Sequence, residues 1–309
     1  MRAVVLCPGQ GAQKVGMGKD LAERFPDAQR VFARADAALG VELSRVMWEG
    51  PEIELTLTHN AQPAILIHAL AVHAVVGPGL EPVAAAGHSL GEYAAYAAVG
   101  AVSLEDAVRL VRRRGELMLE AGRSRPGTMA AVIGLDGERV VALCAEASRD
   151  GQVVVAANFN APDQTVISGD RAAVERAGEA LKAAGARRVL PLKVSGAFHS
   201  PLMAPAAEAL HDALEDAVFQ DPVAPVVANA SAGPVTDAAD ARRLLREQMT
   251  APVRWVESMR VVAAFGVPCV EVGPGTVLTG LLKRIVPDAR AVSLASADDV
   301  AAFLDRGLS

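Results

Sequence analysis

The stretch AAAGHSLGEYAAY, Ala84–Tyr96, decides how the rest of the chain is read. Gly87-His88-Ser89-Leu90-Gly91 has the form G-x-S-x-G, the spacing of a strand that turns sharply into a helix with a serine at the apex. The apolar run Val83–Ala86 supplies the strand end, and Leu90–Val99 supplies the helix. In that setting Ser89 is a nucleophile. The helix N-terminus behind it offers free N–H groups and a positive dipole end, which suit a developing oxyanion.

Outward from this elbow, short β-rich runs alternate with longer helical ones. Ala3–Cys7, Val83–Ala86, Val226–Asn229, Cys269–Val272 and Ala291–Leu294 read as buried strands. Such alternation predicts an α/β fold, a mostly parallel sheet flanked by helices. The middle differs. GTMAAVIGL, a helix over Glu138–Ser148, QVVVAANF and QTVISG joined by the turn Asn160-Ala161-Pro162-Asp163, a helix over Asp170–Ala184, and ARRVLPLK follow in the order β-α-β-β-α-β. This is the ferredoxin-like arrangement. Residues 127–193 are therefore expected to form a small α+β subdomain inserted into a large discontinuous one, 1–126 and 194–309. The cleft between them is the expected ligand site.

Composition narrows the function classes. The chain has 309 residues and a net charge of −6, without the basic footprint of a nucleic-acid binder. Aromatics are only 4%, so the core must be built from Ala, Val and Leu. Cys7, Cys144 and Cys269 stand far apart and form no C-x-x-C pair, which indicates neither a zinc site nor a disulfide framework. MRAVVLCPGQG is broken too early for a signal peptide. The apolar stretch Pro63–Val76 falls short of a membrane span. A cytoplasmic protein without membrane attachment is expected.

Ser89 needs a base. Of six histidines, His88 is adjacent and diverges at a tight elbow, and His68 and His73 lie on an apolar helix. His59 precedes a loop, and His211 lies on a polar helix. His199 sits on a loop just before a helix that starts with Ser200 as cap and Pro201 as first residue. Helical spacing also separates Arg112-Arg113-Arg114. With about 100° per residue, Arg114 falls in the apolar stripe of Ala107, Leu110, Val111, Leu117 and Met118. Arginine does not deprotonate, so an inward guanidinium requires an anion. The candidates are a protein carboxylate such as Glu92 and a carboxylate on the substrate. CPGQGAQKVGMGKD meets neither the dinucleotide fingerprint nor the phosphate loop, yet it can aim backbone N–H groups into a site.

PGQGAQ, GHSLGEYAA, RRRGELM, NFNAPDQTVISG, GAFHSPLM and APVRW, in this order over Cys7 to about Gly275, resemble the malonyl-CoA:acyl carrier protein transacylases and related acyltransferase domains. The resemblance implies a malonyl ester on Ser89, His199 as general base and acid, and an oxyanion hole from the backbone N–H groups of Gln10 and Leu90. It implies that Arg114 binds the free malonyl carboxylate and that the main-chain carbonyl near Gln248 orients His199. Gln62, Asn160 and Phe198 match positions lining the cleft, Phe198 as in malonyl-selective members. Malonyl-CoA and holo acyl carrier protein are the implied partners. Thioester exchange is nearly isoenergetic, so no metal or other cofactor is expected, and nothing in the sequence demands more than a monomer. A serine esterase or thioesterase of the α/β-hydrolase type, its triad ordered Ser, acid, His, is the competing reading.

Overall fold

The computed structural model describes residues 1–306. The strands are β1 (Arg2–Cys7), β2 (Glu81–Gly87), β3 (Gly127–Ile133), β4 (Val154–Ala161), β5 (Gln164–Asp170), β6 (Arg188–Pro191), β7 (Val226–Val227), β8 (Pro234–Val235), β9 (Cys269–Val272) and β10 (Ala291–Leu294). Six make one sheet in the order β10-β9-β1-β2-β7-β8. All its pairings are parallel except β7 with β8. β1 and β9 are buried almost throughout, as expected of central parallel strands covered on both faces.

Register places the site. Cys7 pairs with Gly87 and Ala86 with Val227, so β1, β2 and β7 end side by side. The loops leaving them meet at the carboxyl edge of the sheet, where open α/β sheets bind ligands.

The second sheet is antiparallel, in the order β4-β5-β3-β6. Helices Gly137–Ala147 and Arg171–Ala183 cover one face. Ala130, Val132 and Ile167 pack beneath these helices. Their neighbours Met129 and Val166 point the other way, into the cleft facing the parallel sheet. Arg125 with Asp170 (2.8 Å) and Arg284 with Gln164 (2.6 Å) bridge the two layers at the periphery.

Four details differ from the sequence reading. The turn between β4 and β5 is Pro162-Asp163 alone, because Asn160 and Ala161 stay in the strand. The strand expected over Val226–Asn229 stops at Val227, since the Asn229 backbone N–H is taken by Glu92 Oε2 and its carbonyl by the Arg254 N–H. Ser200 opens a 3₁₀ turn, Pro201–Met203, before the Ala204–Asp216 helix proper. The apolar stretch Pro63–Val76 belongs to a longer helix, and Thr58–Gly79 has the length and composition to cross a membrane. Of its most apolar window, 72% is buried inside the protein, so it is the central core helix. Its apolar residues run all round the cylinder, as a helix packed on every side requires. The three cysteines are buried and unpaired.

Candidate active site

The elbow is built by two glycines. A Cβ on Gly87 would lie 1.9 Å from the Gly91 carbonyl oxygen, and one on Gly91 would lie 2.2 Å from the Cys7 carbonyl oxygen on β1. Only hydrogen fits at either place, so helix Gly91–Ala98 seats directly on the strand ends. Ser89 between them has φ 53°, a left-handed conformation rare for a residue with a side chain. Asn229 holds it there. Its Oδ1 accepts from the Ser89 N–H at 2.7 Å, and its Nδ2 donates to the Gly87 carbonyl at 2.7 Å.

His199, also at positive φ (55°), comes from the loop before Pro201. Its Nε2 lies 2.8 Å from Ser89 Oγ and its Nδ1 lies 2.9 Å from the Gln248 carbonyl oxygen. A carbonyl only accepts, so Nδ1 carries the hydrogen and Nε2 is left to accept from the serine hydroxyl. A serine, a base and an orienting acceptor are thus in line. The orienter is a main-chain carbonyl rather than the carboxylate of a hydrolase triad.

Arg114, on helix Leu104–Ser124, is 1% exposed. Its Nη1 donates to Gln62 Oε1 at 2.6 Å, and its Nη2 to Gln248 Oε1 at 2.9 Å and to Ser89 Oγ at 3.1 Å. All three acceptors are neutral. Glu92, the protein carboxylate considered for this role, instead accepts from Asn229 N and Gln248 Nε2. Among the described residues no carboxylate pairs directly with Arg114, and its Nε is buried without a partner. Arg112 and Arg113 turn outward to Glu116.

These groups open on a cleft of about 300 Å³ between the two sheets. Gln10, Leu90, Asn160, Phe198 and Met118 line it with Ser89, His199 and Arg114. Leu90 and Gln10 sit on the loops leaving β2 and β1. Asn160 Oδ1 lies 2.8 Å from His88 Nε2, which fixes the Asn160 amide on the wall, and the imidazole that reaches Ser89 Oγ is that of His199. Gln62 lies one layer behind, between Arg114 and the Met118 sulfur. Asn229 and the Gln248 side chain, which also donates to the Ser89 carbonyl at 3.0 Å, escaped the sequence reading. The one signal for Asn229 was a polar residue just past a buried strand at the carboxyl edge.

Residues 4–300 match the family model described as acyl transferase domain. The chain belongs to that acyl transferase family. It is 45% identical over 297 residues to the malonyl CoA-acyl carrier protein transacylase of Bacillus subtilis (strain 168), spanning 96% of this chain and 94% of that protein. An acyl carrier protein S-malonyltransferase from Vibrio cholerae superposes with a TM-score of 0.93 at 42% identity, covering 98% of this chain and 99% of the other. A malonyl-transacylase solved in complex with its type II polyketide acyl-carrier protein gives a TM-score of 0.93 at 43% identity, with 99% of both chains covered.

Electrostatics set the state of the acyltransferase's histidine. Burial, then the Arg114 charge, push the His199 pKa down to about 3. A lowered pKa keeps the imidazole neutral, and able to accept a proton, well below the 6.5 of a free histidine. The expected consequence is that kcat/KM for loading the enzyme does not fall as pH is lowered through 6.5. A pH titration of the first half-reaction checks this, and a fall with a midpoint near 6.5 would contradict it.

Proposed function

We propose that this chain transfers a malonyl group from malonyl-CoA to the phosphopantetheine thiol of holo acyl carrier protein, by a ping-pong route through an ester on Ser89. The observation that carries the proposal is Arg114: a buried guanidinium in contact with the nucleophile's oxygen and without a carboxylate of its own. A malonyl thioester supplies both missing pieces, a carbonyl for Ser89 and a carboxylate for the bidentate fork.

The chemistry runs as follows. Ser89 Oγ attacks the thioester carbon while His199 Nε2 takes its proton. The negative oxygen is met by the backbone N–H groups of Leu90 and Gln10, with the helix N-terminus behind. The carbon–sulfur bond breaks, and His199 returns the proton to the coenzyme A sulfur. The carrier's thiol then gives its proton to His199 as its sulfur attacks the acyl carbon, the ester carbon–oxygen bond breaks, and His199 passes that proton to Ser89 Oγ. Thioester exchange is nearly isoenergetic, so this route calls for no metal, nucleotide or organic cofactor. Phe198 and Met118 form the apolar wall beside the acyl chain, and Asn160 presents its amide toward the thioester arm. The fold buries the one long apolar helix found among the described residues, and we place the enzyme in the cytoplasm as a monomer.

Hydrolase and transferase are separated by supplying malonyl-CoA with and without holo carrier protein. Rapid malonyl-carrier formation with slow malonate release in its absence is the expected result. Equally rapid release of malonate without carrier would make the protein a thioesterase.

A further inference from the structure

Glu92 is fully buried on the elbow helix and plays no part in the steps above. Its Oε2 accepts from the backbone N–H of Asn229 at 2.9 Å and from Gln248 Nε2 at 2.8 Å. Its Oε1 is buried without a partner. The Gln248 carboxamide turns its oxygen to Arg114 Nη2 at 2.9 Å. The guanidinium and the carboxylate are therefore joined through one amide, charged at both ends. Hydrogen bonds in such a chain polarise one another in a low-dielectric interior. The other residues that Glu92 touches, Asn229 and Gln248, are neutral. The titratable groups that sense it are Arg114, on helix Leu104–Ser124, and Tyr93 and Tyr96 of its own helix.

We infer that Glu92 is a positioning residue that serves as the relayed counter-charge of Arg114: through the Gln248 carboxamide it holds the guanidinium aimed at Ser89 in the empty site and moderates its grip on the substrate carboxylate. The inference rests on the reading of Arg114 as the carboxylate clamp. An Arg114 balanced by a direct ion pair would have its donors occupied. An Arg114 with no balancing charge would bind the malonyl group most tightly in the ground state, which slows its passage to the next thiol. A carboxylate held one amide away avoids both extremes. Burial pushes the Glu92 carboxyl up to about 7, against the opposing pull of Asn229, Gln248 and Arg114. At pH 8 it is largely ionised, and the test belongs there.

Glu92→Gln keeps an acceptor for Asn229 and Gln248 while removing the charge. It is made in a Ser89→Ala background, so that binding is measured without turnover, and titration calorimetry gives Kd for malonyl-CoA and acetyl-CoA. The expected result is malonyl-CoA bound roughly 5- to 50-fold tighter, the effect of one charge removed from beside a buried cation, with acetyl-CoA unchanged. A lesion that merely loosens the fold would weaken both. Unchanged or weaker malonyl-CoA binding, or an equal change for both thioesters, overturns the inference. If the Ser89→Ala protein discriminates neither thioester, the clamp reading itself fails. A thermal double-mutant cycle then decides the coupling alone. Arg114→Met is expected to lower Tm more when Glu92 is present than in the Glu92→Gln background, and additive losses would show the two groups to be independent.

Discussion

Replacing Ser89 with alanine is expected to lower malonyl transfer by roughly 10⁴- to 10⁶-fold, leaving only the rate that positioning and the oxyanion donors supply. Among the described residues, Ser89 Oγ is the one nucleophilic atom within hydrogen-bonding distance of both the His199 base and the Arg114 guanidinium. Removing it leaves the cleft, the donors and the clamp in place but forces any acyl transfer to be direct. The hydroxyl is small and faces the cleft, so the fold should be little affected, and an unchanged thermal midpoint confirms that the loss is chemical. Steady-state transfer to holo carrier protein measures the effect. Activity within about 100-fold of the parent enzyme, far less than nucleophile loss costs, would mean that Ser89 is not acylated.

Arg114→Ala is expected to divide the substrates. Truncating one partner of a buried, hydrogen-bonded charge pair costs about 2–5 kcal/mol. For malonyl-CoA this is a fall in kcat/KM of roughly 30- to 5,000-fold. Acetyl-CoA has no carboxylate to lose, and its kcat/KM should change far less, by about 10-fold, the low end of the scale for one hydrogen bond from a charged donor, here Arg114 to Ser89 Oγ. The ratio of the two rates is the informative quantity, because damage to His199 or the elbow would lower both alike. Equal losses would remove Arg114 from substrate recognition and return it to a structural part.

What the sequence made legible depended on the range of the interaction. The elbow is written in five consecutive residues, because the glycines that let strand and helix meet flank the serine directly. Arg114 is readable because a helix repeats every 3.6 residues and its stripe exposes an arginine where an aliphatic side chain belongs. His199 was legible as a loop residue ahead of a helix cap, yet its contact with Ser89 bridges 110 positions that only tertiary packing joins. The Gln248 carbonyl carries no side-chain signature at all, and only the family resemblance pointed to it. Asn229 and the placement of Glu92 stayed illegible for the same reason: both act through backbone groups and amides brought together by β7 packing on β2. Register in a parallel sheet is set by crossover geometry, and a two-residue strand such as Val226–Val227 leaves little pattern to read.

The most direct measurement is the intact mass of the protein after brief mixing with malonyl-CoA in the absence of carrier, followed by peptide mapping. The account predicts one malonyl group per chain, attached to Ser89, discharged on adding holo carrier protein and absent from the Ser89→Ala protein. An unmodified mass while transfer proceeds, or a malonyl group mapped to any other side chain, would contradict it.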